Sequence, residues 1–383
     1  MTTTINNEHK KLNVPNLRFP GFQGEWEKCK VGDFGKIITG NTPPTKDLEN
    51  YENGQYLWVS PADLGLLKSI TETKTKLSKK GFGKTRVLPT GSVLVTCIGS
   101  TIGKMGMTTK ETSTNQQINA IVVDKSNNNE FVYYAVQSAF PKYLSSIAVQ
   151  AVPIISKSSF ELLPNYRPSI QEQEKIGRFF ALLDERIATQ SKVIEDLKKL
   201  KCAIAERLFK IAVGDVVALL EVCNIQKGKQ VNGDCLSETG TYYVMNGGTE
   251  PSGYYEQCNA PADTISISEG GNSCGYVQYN REAFWSGGHC YTLTDIQPNV
   301  CNLYLYHYLK SKESTIMKLR IGTGLPNIQK KDLEKFAILL PPIAKQIRIS
   351  TFLTAIEHKT TNEETLRNYF QKEKQYLLRQ MFI

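Results

Sequence analysis

The sequence predicts an α+β protein made of two copies of one unit, each copy running into a long helix. Three observations carry this: an internal repeat over most of the chain, short alternating apolar strands broken by glycine and polar loops, and two nearly Gly- and Pro-free stretches with heptad-type apolar spacing.

The repeat is plainest where GSVLVTCIGSTIGK (residues 91–104) lies over DTISISEGGNSCGY (263–276). An offset of 172 puts Gly99 on Gly271 and Gly103 on Gly275, and Gln117, Ile118 and Ile121 on His289, Cys290 and Leu293. The offset then becomes 173 and stays there: Tyr133 falls on Tyr306, Pro153 on Pro326, Pro168 on Pro341, Gln173 on Gln346, Phe179 on Phe352, Lys201 on Lys374 and Phe209 on Phe382. Upstream the match is looser, with Gly40 over Gly228, and the loops between 41 and 90 are longer than their counterparts.

Each copy has a strand-rich part, about 31–168 and 215–341, that ends in a short amphipathic helix at 131–138 and at 303–311. The stretch 326–336 also reads as helical. Pro168 and Pro341 then mark helix starts. In the first helix Ile187, Ile194, Leu197, Ile204 and Leu208 fall at a/d-type positions, and Phe370, Leu377 and Met381 hold the same register in the second. A helix of some 38 residues is about 57 Å long and cannot pack fully on one small domain, so the two rods are expected to pack on each other rather than join a larger bundle. The boundaries that follow are a leader at 1–30, a first domain at 31–168, a helix at 169–212, a second domain at 213–341 and a second helix at 342–383.

Composition narrows the function. A net charge of +9 favours a polyanionic partner. Nine cysteines with no CxxC pair read as reduced thiols, and four histidines form no metal-ligand spacing. Residues 1–11 are polar, without the apolar core of a signal peptide, and no run approaches the length of a membrane span, so a cytoplasmic chain with no membrane partner is expected.

Residues 68–86 (KSITETKTKLSKKGFGKTR) hold seven cations against Glu72, a local +6 with Ser and Thr between. Lys74, Lys76, Lys79, Lys80, Lys84 and Arg86 suit phosphate contacts, although a solvated lysine-rich loop has the same composition. The second domain offers Lys227, Lys229, Lys318 and Arg320. Base edges are read by amides and guanidinium groups, which points to Asn115, Gln116 and Gln117, and to Asn246, Asn272, Ser273 and His289; turn-capping amides explain the same residues. Gly322-Thr323-Gly324 is either a phosphate-binding backbone turn or a plain tight turn.

Enzyme motifs fail on inspection. Gly83-Lys84-Thr85 lacks the first glycine of a phosphate-binding loop, where Ser78 stands. The prolines at Pro43-Pro44 and Pro341-Pro342 have Thr42 and Leu340 before them, not the Asp or Asn of a base-modifying methyltransferase. His289 and Cys290 are adjacent on a strand, so they face opposite ways and make no nucleophile–base pair.

The layout resembles the specificity subunits of type I restriction–modification enzymes. The resemblance runs from VPNLRFPGFQGEW (14–26) through VGDFGKIITGNTP (31–43) and GSVLVTCIGSTIGKMG with TNQQ (91–106 and 114–117) to the exit YRPSIQEQEKIGRFFALLDERI (166–187). The second exit shares proline, Gln-x-x-Ile and Phe with the first, but Ala344-Lys345 stands where the first has Gln171-Glu172. The resemblance implies two α+β target-recognition domains in pseudo-repeat, separated by two long antiparallel coiled-coil helices. It further implies that each domain reads one half of a bipartite asymmetric site on double-stranded DNA. The helices would dock two methyltransferase (modification) subunits, through which restriction (translocase/endonuclease) subunits join. This chain would then be non-catalytic and hold no cofactor, with S-adenosylmethionine, ATP and Mg²⁺ belonging to the partners. The alternatives are a stand-alone DNA-modifying or DNA-cleaving enzyme with unrecognised motifs, and an adaptor that binds protein only.

Overall fold

The computed structural model describes residues 13–65, 67–145, 153–322, 324 and 326–383. Thr323 of the Gly322-Thr323-Gly324 segment and residues 1–12 of the leader lie outside the described residues. The chain divides into two units, one of Met1–Ser191 with Thr365–Ile383 and one of Lys192–Glu364.

In the first unit a five-stranded sheet has the order Gly35–Thr39, Ile118–Val123, Val93–Thr96, Met105–Thr108, Ser69–Ile70. A three-stranded sheet sets Tyr56–Val59 between Thr75–Leu77 and Ser113–Thr114, the last pairing parallel. The second unit has the same strand order: Asn224–Lys227, Cys290–Thr294, Thr264–Ser268, Val277–Asn280 in one sheet. Its three-stranded sheet sets Tyr242–Met245 between Tyr254–Tyr255 and Trp285–Ser286, again with the last pairing parallel. The additional edge strand Ser69–Ile70 of the first unit falls inside the longer loops between 41 and 90.

Period-two alternation explains the burial. Val93 and Val95 face one core, with Phe131, Val132 and Phe180, while Leu94 faces a second, with Leu57, Val59 and Leu88. The glycine loops are conserved in shape as well as sequence. At Gly103 (φ +89°) a Cβ would lie 2.7 Å from the Phe140 ring, and at Gly275 (φ +92°) 2.9 Å from Met317, so both positions exclude side chains on two counts.

The amphipathic helix expected at 131–138 extends over Asn129–Ser145, with Pro141 inside it, while its partner spans Asn302–Ser311. The helix expected at 326–336 is only one turn, Lys330–Glu334, because the backbone of Asn327 pairs with Ile321 and Gly270 as extended chain.

The long helices span Ile170–Ile211 (42 residues) and Ile343–Met381 (39 residues). At 1.5 Å per residue that is about 63 and 58 Å. Each starts two residues after its proline, pinned by a buried glutamine. Gln173 accepts the backbone N–H of Asn128 (3.0 Å) and donates to the Pro168 carbonyl (3.1 Å). Gln346 accepts that of Cys301 (2.8 Å) and donates to Pro341 (2.8 Å).

The helices run antiparallel. In the first unit Asp184 pairs with Lys374 (2.5 Å) and Arg186 lies over the Phe370 ring; in the second Lys198 pairs with Glu364 (2.6 Å) and Lys201 with Glu357 (3.2 Å). Ile194 and Met381 are fully buried, and Ile187, Leu197, Ile204, Leu208, Phe370 and Leu377 are half-buried. Phe209 closes the second unit's core against Tyr304 and Tyr308, and Phe382 that of the first against Trp26, Phe131 and Phe180. Among the described residues no helix is long and apolar enough to cross a membrane.

Candidate nucleic-acid interface

The lysine-rich stretch of the first unit folds as the strand Thr75–Leu77 and one helical turn, Lys79–Gly83, in which the Ser78 hydroxyl caps the N–H of Gly81. It carries its own counter-charges. Lys84 Nζ binds Asp47 Oδ2 (3.0 Å) and Asn50 Oδ1 (2.9 Å), and Lys80 pairs with Glu49 and with Asp47 at 3.5 Å. Lys76 pairs with Glu72 at 2.7 Å. The local +6 of residues 68–86 therefore meets two carboxylates from a loop some thirty residues upstream. Asp47 is held below the usual carboxylate range chiefly by its hydrogen bond from Lys84. Lys68, half-buried against Glu130 (2.6 Å) and Tyr134, is turned to the helix at Asn129–Ser145 and not to the patch. Lys74 and Lys79 are exposed, and Arg86 is exposed with its guanidinium on the Thr39 carbonyl (2.7 Å).

The amide cluster of this unit splits. Asn115 is 7% exposed and builds the turn itself: its Oδ1 accepts the N–H of Gln117 (3.0 Å) and its Nδ2 donates to Gln117 Oε1 (3.0 Å). Gln116 is exposed, its Oε1 accepting from Thr42 Oγ1 at 2.5 Å.

In the second unit one cleft of about 570 Å³ brings together Lys227, Asn246, Asn272, Ser273 and His289. The strand Asn224–Lys227 ends at one rim, the glycine loop after Thr264–Ser268 forms another, and His289 precedes the strand Cys290–Thr294. Asn246 Oδ1 accepts the backbone N–H of His289 at 3.0 Å, which fixes that corner. Lys229 and Arg320 are exposed but do not line the cleft. Cys290, by contrast, is buried, and burial pushes its thiol up to about 11, so no nucleophile pairs with His289.

Sequence reasoning missed Glu269, which lies at the centre of this cleft. Its Oε1 accepts from Lys227 Nζ (2.6 Å) and Tyr291 Oη (3.1 Å), and its Oε2 is 3.8 Å from His289 Nδ1. The signal was an acidic residue standing directly between an alternating strand, Thr264–Ser268, and Gly270-Gly271. Among the described residues no group of His, Cys, Asp and Glu could hold a metal ion.

Two copies of one α+β unit, each with exposed cations at its loops and each closed by a long helix, define a tandem-repeat protein with paired helices. The family described as type I restriction modification DNA specificity domain matches residues 23–199 and 215–369, and the chain belongs to it. It is 35% identical over 143 residues to a type I specificity subunit of Mycoplasma pneumoniae, and 35% identical over 126 residues to the HindI specificity subunit of Haemophilus influenzae. These matches cover 35% and 32% of this chain and only 37% and 27% of those relatives, so the chain spans about a third of their length. The fold matches the crystal structure of a type I restriction–modification S subunit from M. genitalium with a TM-score of 0.70 at 18% identity, covering 97% of this chain and 99% of that one.

Proposed function

We propose that the chain is the DNA-specificity subunit of a type I restriction–modification complex. Each α+β unit reads one half of a bipartite, asymmetric site on double-stranded DNA, and the two long helices dock two methyltransferase subunits, through which restriction subunits join. The observation that carries this is the repeat itself: one strand order is built twice, with exposed cations at the loops of the first unit and a cleft lined by Lys227 and amides in the second. A single polyanion contacted at two equivalent but differently lined surfaces is read as two different half-sequences.

In the first unit Lys74, Lys76, Lys79, Lys80, Lys84 and Arg86 supply phosphate contacts, with Gln116 at a base edge; in the second, Lys227, Lys229 and Arg320 meet phosphates, and Asn246, Asn272, Ser273 and His289 meet bases. The chain itself is non-catalytic and holds no cofactor. S-adenosylmethionine, ATP and Mg²⁺ act in the partner subunits, and the complex works in the cytoplasm.

Methylome sequencing of a host expressing this chain with its methyltransferase partner tests the proposal. One methylated motif in two parts with an unread gap is expected. A continuous motif, or methylation by the purified chain alone, would overturn it.

A further inference from the structure

A surface that binds a polyanion has little use for a carboxylate, yet among the described residues Glu269 is the one acidic side chain lining the cleft of the second unit. Only half of it is used. Oε1 accepts from Lys227 and Tyr291, whereas Oε2 is buried with no hydrogen-bond partner. A buried acceptor left without a donor is destabilising, more so when charged, and calls for an explanation; a ligand that supplies the donor is one.

The chemistry of that ligand follows from what surrounds the oxygen. Lys227 already balances the charge on Glu269, so the free oxygen calls for a neutral N–H donor rather than a second cation. The walls are backbone at Gly247, Gly248, Gly270 and Gly271; a Cβ at Gly271 would meet nothing within 4 Å, and one at Gly270 nothing nearer than His289 Nδ1 at 3.7 Å. Such walls admit a flat group edge-on, between the amides of Asn246 and Asn272. The cover is His289, whose side chain is 64% exposed against 12% for Glu269. Moving an exposed imidazole needs only a rotamer change.

We propose that Glu269 reads the exocyclic amino group of one base in the second half-site, cytosine N4 or adenine N6, with Oε2 accepting the N–H once His289 swings aside. This rests on the DNA-reading function proposed above. Carboxylates accept from cytosine N4 in the major groove, which is the chemistry invoked here. The first unit lacks the device: the 172-residue offset puts Cys97 at this position, a buried thiol pushed up to about 12 by desolvation.

The test pairs a side-chain change with a base-atom change in the complex of the full chain and its methyltransferase partner. Methylome sequencing first gives the parental motif. Duplexes then carry 2-pyrimidinone for each cytosine, or purine for each adenine, of the second half-site, deleting one amino group at a time.

At one position the deletion should weaken binding by roughly 5- to 150-fold with the parent chain. With Glu269→Ala it should cause no further loss there, and the substituted analogue tells cytosine from adenine. Methylation by Glu269→Ala should relax at that same position and leave the first half-site unchanged. Where Glu269→Ala does not fold, Glu269→Met, of similar length but without an acceptor oxygen, takes its place in the cycle.

Amino-group deletions that cost the parent nothing, or cost both proteins equally, overturn the role of Glu269 while the two-part motif stands. A parental motif that is not in two parts overturns the DNA-reading function, and this inference with it.

Discussion

Arg18 grips Glu172 with two nitrogens, Nε on one carboxylate oxygen and Nη2 on the other, each at 2.7 Å. Glu172 is 1% exposed, in the first turn of the long helix that follows the first domain. The remaining guanidinium donors go to the carbonyls of Gly24 and Gln23, so the leader and the helix start are tied together. The second repeat has no leader before its own helix start, and Lys345, exposed, stands where the acid would be. The Gln171-Glu172 to Ala344-Lys345 departure between the two exits is therefore the absence of a partner for the acid.

Breaking this pair leaves a buried charge. Arg18→Ala should cost the first unit about 3–5 kcal/mol, whereas Lys345→Ala should change stability by less than about 0.5 kcal/mol. Denaturant unfolding of the full chain measures both. Equal small effects would show that the leader is only draped on the helix.

The glutamine pins predict a matched pair of losses. Gln173→Ala and Gln346→Ala each strand one backbone N–H and one proline carbonyl that the side chain had satisfied, together with Asn127 Oδ1 in the first case and the Asn299 carbonyl in the second. Each should cost about 2 kcal/mol, and the two should agree within about 0.5 kcal/mol because the geometry repeats. A large cost at only one site would mean that the two junctions are not equivalent.

What was legible in the sequence was whatever the backbone dictates. Gly103 and Gly275, Pro168 and Pro341, and Gln173 and Gln346 keep their spacing because left-handed loops, helix starts and helix pins tolerate few residues, so the repeat and both rods could be read directly. The surface chemistry was not legible, because it depends on residues brought together from far apart. Asp47 and Glu49 reach Lys84 and Lys80 across a turn of chain with no periodic pattern, and Lys68 leaves its lysine cluster to pair with Glu130. Asn115 offered amide chemistry on paper but spends it on its own turn. Glu269 escaped because a lone acid in a strand-to-glycine loop carries no motif.

The acidic loop against the lysine-rich stretch should act as a brake on DNA binding. Asp47→Asn with Glu49→Gln releases Lys80 and Lys84 without altering side-chain shape. Affinity should rise, and the log–log salt slope should steepen by up to about 0.9 for each freed phosphate contact. Alanine at Lys74, Lys76, Lys79 and Lys80 should make the slope shallower while sequence preference survives. If the slope is indifferent to both sets, this stretch is only a solvated loop.

Acid sensitivity should concentrate on His307. It is buried, with Nε2 2.8 Å from Thr354 Oγ1. Burial first, and then the neighbouring Lys201 cation, push its pKa down to about 4 from an ordinary 6.5, with Glu357 opposing. The unfolded chain thus binds a proton that the folded chain refuses between those values, so stability is full above about pH 6.5 and falls as pH drops toward 4. The loss approaches about 3 kcal/mol at the acid end. Full-chain denaturation at pH 7 and 5 should show it, and His307→Gln should flatten the difference. An unaltered pH dependence in that variant would assign acid sensitivity elsewhere.

Domain exchange gives the broadest test. The junction at Pro168 and its pinned helix start recur at Pro341, so residues 31–168 enter and leave the repeat at points with defined backbone geometry. The short sheet of Glu27–Lys30 with Pro164–Arg167 ties the leader to the end of the first domain, so a graft of 31–168 must supply the strand that pairs with Glu27–Lys30. Asp215–Ala218 with Ala337–Leu340, by contrast, closes the second domain on itself. Replacing 31–168 with the first domain of another family member leaves Arg18, Glu172 and the long helices in place. It replaces Asn128 and Phe131, so the graft must supply an N–H for Gln173 and an aromatic ring for Phe382. A graft that does so should assemble with the methyltransferase partner. Its methylated motif should change in one half only, with the other half unchanged. If both halves change, or methylation disappears from a complex that still assembles, the two domains do not read independently, and the repeat serves the fold rather than recognition.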